Sequence, residues 1–245
     1  MRWVHLDPGA IHRGDLILVN SDHPLKQELR PGERAALDES GCAMQKRAAV
    51  MLASLLHQVG PGIALVSGWR SFDEQQAIFR DSLRKHGEKF TRRYVAVPGC
   101  SEHQTGLAID LGEARERVDF LRPDFPDRGA CGAFLRRKAE YGFVLRYPAG
   151  KETVTGIASE PWHFRYVGVP HARVMEERGL TLEEYVDDLR GYSMEAPLHV
   201  ANYDIWFVPA QRGKPLLVSL PNGRGALLSG NNVDGMIVTC AEVVG

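Results

Sequence analysis

Gly106-Leu107-Ala108-Ile109-Asp110-Leu111 alternates bulky apolar residues with small or polar ones, which is the period-two pattern of a strand with one packed face. Leu107, Ile109 and Leu111 share that face, and Asp110 lies on the other. Ser101-Glu102-His103-Gln104-Thr105 runs directly into this strand, and the bend implied by Thr105-Gly106 lets a loop histidine and a strand-borne aspartate converge. Upstream, Ile63-Ala64-Leu65-Val66-Ser67 is too short for a helix and is bounded by glycines, so it reads as a buried strand. Gly68-Trp69-Arg70 then leads into Ser71-Phe72-Asp73-Glu74, a capping box that opens a helix from about Phe72 to Lys85. Arg70 sits just before the positive end of that helix, where charge and dipole together favour a carboxylate. Further strands are expected at Ile17-Leu18-Val19-Asn20, Phe143-Val144-Leu145 and Trp162 to Val167.

Helices are expected where apolar residues recur at steps of three and four: Met44 to Val59, Gly129 to Tyr141, His171 to Arg178 and Leu182 to Leu189. The last opens on a second capping box, Thr181-Leu182-Glu183-Glu184. These elements give an α+β fold, a small and largely antiparallel sheet carrying a cleft and packed on helices. Beyond Tyr192 the pattern changes to short β-prone runs, Ile205-Trp206-Phe207-Val208, Leu216-Leu217-Val218 and Met236-Ile237-Val238, with a turn at Pro221-Asn222-Gly223-Arg224-Gly225. The chain is therefore expected to divide into a domain of residues 1–192 and a β-rich C-terminal extension of residues 193–245.

The composition is that of an ordinary globular protein, with 245 residues, 44% hydrophobic and 25% charged. Thirty Lys and Arg against 31 Asp and Glu leave a formal charge of −1, so there is no net basic field to gather nucleic acid or anionic lipid. The start, Met1-Arg2-Trp3-Val4-His5-Leu6-Asp7-Pro8, lacks the unbroken apolar stretch of a signal peptide. No apolar run approaches the ~20 residues of a transmembrane segment. A cytoplasmic protein is expected. Cys42, Cys100, Cys131 and Cys240 form no CxxC pair, which argues against a structural zinc ribbon and for reduced thiols.

Two of the nine histidines have company. His103 is followed by Asp110, and Glu160-Pro161-Trp162-His163 sets a carboxylate three residues before an imidazole. Two imidazoles and one carboxylate suit zinc and leave one position open, the arrangement of a catalytic rather than a structural ion. Glu160 precedes a proline, which disfavours helix there, so a turn is expected to present it as a general base. Trp162 is expected to serve core packing.

Ser101-x-His103-x6-Asp110 with Glu160-x-Trp162-His163, preceded by Ser67-Gly68-Trp69-Arg70-Ser71-x3-Gln75, resembles the zinc D,D-peptidases of the VanX, VanY and VanXY group over about residues 10–192. The resemblance implies that His103, Asp110 and His163 bind one Zn2+ per chain and that Glu160 is the general base. It implies that Arg70 polarises the scissile carbonyl or stabilises its oxyanion, and that Gln75 and Ser101 hold the terminal carboxylate of the substrate. That substrate would be D-Ala-D-Ala, the D-Ala-terminated pentapeptide of a cell-wall precursor, or both, with a link to glycopeptide resistance. The lack of an export signal makes the chain more similar to the cytoplasmic VanXY and VanX enzymes than to anchored VanY. An L,D-carboxypeptidase trimming tetrapeptides is the alternative with the same chemistry. A non-catalytic zinc-binding recognition module, as in the related Hedgehog fold, is disfavoured by the presence of Glu160 and Arg70. Trp69 stands where the family often has Tyr, and residues 193–245 exceed the compact VanXY pattern. For that extension the options are a homo-oligomer interface, a lid that narrows the cleft toward small substrates or a binding module for another protein, and a structural or oligomeric role is the expectation.

Overall fold

The computed structural model describes residues 1–39, 41–211 and 213–242; Arg212 and residues 243–245 of the expected extension lie outside them. The described chain forms two compact units, Val19–Thr181 and a second made of Met1–Leu18 with the residues from Leu182 on. This differs from a cut between residues 192 and 193, and the reason is long-range strand pairing. Strand β1 (Arg2–Leu6) pairs antiparallel with Leu216–Leu220, more than 200 residues away, so the N-terminus belongs with the C-terminal strands.

The Val19–Thr181 unit holds the hairpin β2 (Arg34–Ala36) and β3 (Ala43–Gln45), helix α1 (Lys46–Val59), β4 (Ile63–Ser67), α2 (Phe72–Tyr94) and β5 (Ala108–Glu113). It continues through α3 (Gly129–Arg137), β6 (Phe143–Tyr147), the short α4 (Glu152–Thr155), β7 (Glu160–Tyr166) and α5 (Val169–Arg178). Four of these strands make one antiparallel sheet in the order β4-β5-β7-β6. Below it, Phe125, Phe134 and Phe164 meet edge to face with ring centroids 4.7–5.5 Å apart, and the buried side of α1, Ala48, Leu52 and Leu55, adds to the core. Burying such side chains contributes about 1.5–3 kcal/mol each, which fixes the sheet as a rigid floor for its polar face.

The capping box forms as expected. Ser71 Oγ accepts from Glu74 N at 3.2 Å, and Glu74 Oε2 accepts from Ser71 N at 2.7 Å. Helix α2 outruns its expected end at Lys85, breaking at Gly87 (φ 79°) before a further stretch to Tyr94 that the Ser82–Thr91 hydroxyl bond of 2.8 Å ties back. Ile17–Asn20 is not a strand. Ile17 and Leu18 are buried, but Leu18 bonds Asn231 O and Asn232 Nδ2, which are irregular backbone and a side chain rather than a ladder partner.

The other unit adds α6 (Leu182–Leu189), β8 (Leu198–Val200), β9 (Tyr203–Pro209), β10 (Leu216–Leu220), β11 (Ala226–Gly230) and β12 (Gly235–Ala241). Strands β11-β12-β9-β8 form an antiparallel sheet and β1-β10 a two-stranded ribbon. Leu216, Val218 and Leu220 face its core with Met236, Val238 and Cys240, alternate residues on both strands. Cys42, Cys100, Cys131 and Cys240 are free thiols. Among the described residues no helix is long and apolar enough to cross a membrane.

Candidate metal centre

Asp110 and His163 are direct cross-strand neighbours on the two central strands, β5 and β7, so their side chains rise from the same face. His163 Nδ1 lies 2.9 Å from Asp110 Oδ1. His103 comes from a tight 3-10 turn, Glu102–Thr105, and brings Nε2 within 3.1 Å of Asp110 Oδ2. One ligand atom from each of the three residues lies within 4.8 Å of the others, and all three residues are buried. Two glycines make this convergence possible. Gly106 ends the turn in the left-handed region (φ 70°), and a Cβ there would stand 2.4 Å from Leu29 Cδ2 and 3.0 Å from the Gln45 backbone nitrogen. At Gly68 a Cβ would stand 2.3 Å from the Ala43 carbonyl oxygen.

The hydrogen bonds around the three residues fit a cation. His103 Nδ1 is 2.7 Å from the Gly68 carbonyl. A carbonyl only accepts, so Nδ1 carries the proton and Nε2 presents a lone pair. Burial, aided by the Arg70 charge, pulls this imidazole down to about 4. A lone pair and a carboxylate oxygen 3.1 Å apart repel unless a positive ion lies between them. Burial alone would lower His163 too, but the Asp110 bond and charge, with Glu102 and Glu160, outweigh it and push it to about 9. Its Nδ1 faces Asp110 in the place a metal would take from a proton. The donor set of two imidazoles and one carboxylate is that of an open zinc site.

These residues floor a cavity of about 350 Å³ whose wall includes Arg70, Gln75, Ser101, Glu160 and Trp162. Glu160 is the first residue of β7 rather than part of a turn. Three positions from His163, it would face the other side of a regular strand. The β6–β7 register shifts between Leu145 and Tyr147, and this irregularity lets both residues face the cavity. Glu160 Oε2 is 3.8 Å from His163 Nδ1. Burial lifts its carboxyl to about 7; Asp110 and Glu102 add to the rise, and His163 and Arg70 oppose it. Trp162 is buried, in keeping with core packing, and it also lines the cavity.

Arg70 is held by two acidic or amide groups. Its Nη1 donates to Gln75 Oε1 at 3.0 Å, and its Nη2 lies 3.8 Å from Asp110 Oδ2. Gln75 donates in turn from Nε2 to the Ala96 carbonyl at 2.8 Å, so it braces Arg70 from the buried side of α2. Ser101 is buried at the start of the 3-10 turn, and its hydroxyl makes no capping bond there. Trp69 carries the Arg34 guanidinium 3.6 Å above its ring.

Three residues that sequence reasoning passed over complete the site. Glu102, 1% exposed, accepts on Oε1 from Arg146 Nε at 2.8 Å and from Arg165 Nη1 at 2.9 Å. Burial by itself would raise this carboxyl, but the two guanidinium charges hold it well below the usual carboxylate range. The available signal was an arginine inside each of two apolar strands, Phe143–Tyr147 and Glu160–Tyr166, since a charge at such a position needs a buried partner.

The chain is similar over most of its length to known peptidases. The structure of the vancomycin-resistance D,D-dipeptidase VanXYg in complex with a D-Ala-D-Ala phosphinate analogue matches with a TM-score of 0.93 and 42% identity, covering 98% of this chain and 99% of that one. At 98% of this chain, that coverage takes in most of residues 193–245, so the extension does not exceed the pattern of every VanXY protein. A variant of the D,D-pentapeptidase VanY from a VanB-type cassette, solved with Zn(II), matches with a TM-score of 0.61 and 28% identity over 70% of this chain and 98% of that one. The bifunctional D-Ala-D-Ala dipeptidase and carboxypeptidase VanXYC of Enterococcus gallinarum is 42% identical over 179 residues, 71% of this chain and 94% of that protein. Residues 42–169 match the family model described as VanY, D-alanyl-D-alanine carboxypeptidase. With the His103, Asp110 and His163 cluster inside the matched span, this chain belongs to the VanY family of D-alanyl-D-alanine carboxypeptidases.

Proposed function

We propose that this protein is a zinc D,D-peptidase that hydrolyses the amide bond before a C-terminal D-alanine, in D-Ala-D-Ala and in cell-wall precursor pentapeptides, and that it acts in the cytoplasm in glycopeptide resistance. The observation that carries this reading is the meeting of His103, Asp110 and His163 in one buried cavity with Glu160 and Arg70 in its wall. Whole-chain likeness to a D,D-dipeptidase favours D,D over L,D specificity.

His103, Asp110 and His163 would hold one zinc ion per chain, which when bound supplies Lewis acidity to the carbonyl and to the attacking water. Glu160 takes the proton of that water and returns it to the leaving amine. Burial raises this carboxyl above the usual carboxylate range, which strengthens it as the group that takes and returns the proton. Arg70, braced by Gln75, places a guanidinium edge where the carbonyl oxygen gains negative charge. Ser101 and the remaining N–H of Gln75 hold the terminal carboxylate of the substrate. The formal charge of −1 suits a small peptide substrate rather than nucleic acid. The β-rich extension serves as a contact between copies of the chain, which solution mass of the full-length protein tests.

The substrate assignment is tested by following D-alanine release from D-Ala-D-Ala, a pentapeptide and a tetrapeptide, with and without zinc. Turnover of the first two is expected. Activity confined to the tetrapeptide favours the L,D reading, and zinc binding without any turnover favours a recognition module.

A further inference from the structure

We propose that Glu102 is a positioning residue for the metal centre: its Oε2 accepts from the Nε2–H edge of His163 and so turns the Nδ1 lone pair toward Asp110 and the bound cation. The inference rests on the zinc reading above and deepens it. Glu102 Oε2 and His163 Nε2 lie 3.5 Å apart, and both are buried with no hydrogen-bond partner within normal geometry. Each supplies what the other lacks, an acceptor for a donor. The opposite edge of the same ring, Nδ1, is the one that faces Asp110 at 2.9 Å.

The geometry of the two arginines separates this role from that of a plain ion cluster. A carboxylate between two guanidinium groups can offer one oxygen to each. Here both arginines bond the same oxygen, Arg146 Nε at 2.8 Å and Arg165 Nη1 at 2.9 Å to Oε1, so Oε2 is left to His163. Arg146 stands on β6, and Arg165 stands on β7 two residues from His163, so the sheet itself aims the carboxylate. Tyr147 and His103 pack against the His163 ring, each with its centroid 4.9 Å away. Its remaining freedom is a flip about its own axis, which would carry Nδ1 off the metal. An acceptor fixed at Nε2 opposes that flip, as outer carboxylates do for ligating histidines elsewhere.

Two measurements test the proposal. Imidazole nitrogen NMR of the zinc-loaded wild-type protein is expected to show His163 protonated at Nε2 and metal-bound at Nδ1; the opposite tautomer overturns the proposal and needs no variant to show it. Glu102→Gln, which keeps the shape of the side chain, is expected to weaken zinc binding about 10–100-fold in chelator competition. If that variant does not fold, the triple change Glu102→Met, Arg146→Met and Arg165→Leu removes all three charges together, an exchange that buried ion triads tolerate, and the same loss of affinity is expected. Zinc affinity within about twofold of wild type in a folded variant overturns the proposal. A wild-type protein that binds no zinc would instead refute the metal assignment on which it rests.

Discussion

Replacing Glu160 by Gln changes one oxygen to an amide nitrogen in a wall position only 8% exposed to solvent. The side chain keeps its volume and loses its basicity. General-base catalysis contributes about 10²–10⁴ in rate, or about 2.7–5.4 kcal/mol at 1.36 kcal/mol per tenfold, and the variant should lose kcat by that factor. Stability should not fall with it. Burial and the nearby Asp110 and Glu102 charges are what raise the Glu160 carboxyl, so the neutral amide is easier to bury, and Tm should stay within about 3 °C of wild type or rise. The three ligands are untouched, so zinc content should remain at about one per chain. D-alanine release from D-Ala-D-Ala and from a pentapeptide, with metal analysis of the same sample, measures all of this. Wild-type turnover by a zinc-loaded Glu160→Gln protein would falsify the base assignment, and loss of zinc would mean that Glu160 is itself a ligand.

Three further changes probe other parts of the account. Gly106→Ala forces a Cβ into the left-handed region and against Leu29 and Gln45; a loss of about 2–5 kcal/mol in denaturant unfolding is expected, with weaker zinc binding, and a neutral outcome would remove the turn argument. Arg70→Lys cannot span Gln75 and Asp110 with a single ammonium, so kcat should fall about 10²–10³ with zinc retained, whereas a change in KM alone would assign Arg70 to ground-state binding. His171, buried in α5, is pulled by that burial from 6.5 to about 3. Above pH 6.5 neither the folded nor the unfolded chain holds most of its proton; below it only the unfolded chain does, so stability is lost as pH falls, by about 2 kcal/mol between pH 6.5 and 4.5. His171→Asn should flatten the stability-versus-pH curve in that window by about one proton, and parallel curves would contradict the assignment.

The parts of the site legible in the sequence are those written in local pattern. Alternation set Asp110 on the polar face of β5, glycines and short apolar runs marked β4 and β6, and Ser71 with Glu74 marked the start of α2. What depended on pairing between distant segments was hidden. Glu160 required a register irregularity against β6 to share a face with His163, and no feature of Glu160-Pro161-Trp162-His163 alone discloses that. Glu102 stands beside His103 in the chain, but its partners lie 44 and 63 residues further on. Ile17–Asn20 has strand composition, yet Leu18 bonds the Asn231 backbone and the Asn232 side chain, while β1 pairs with β10, more than 200 residues away.

Diffraction from zinc-loaded crystals, recorded on both sides of the zinc absorption edge, tests the central claim most directly. The account predicts one anomalous peak about 2.0–2.2 Å from His103 Nε2, Asp110 and His163 Nδ1, within reach of the cavity that Glu160 and Arg70 line. A peak held by other residues, or none at this cluster in a zinc-saturated crystal, would contradict it.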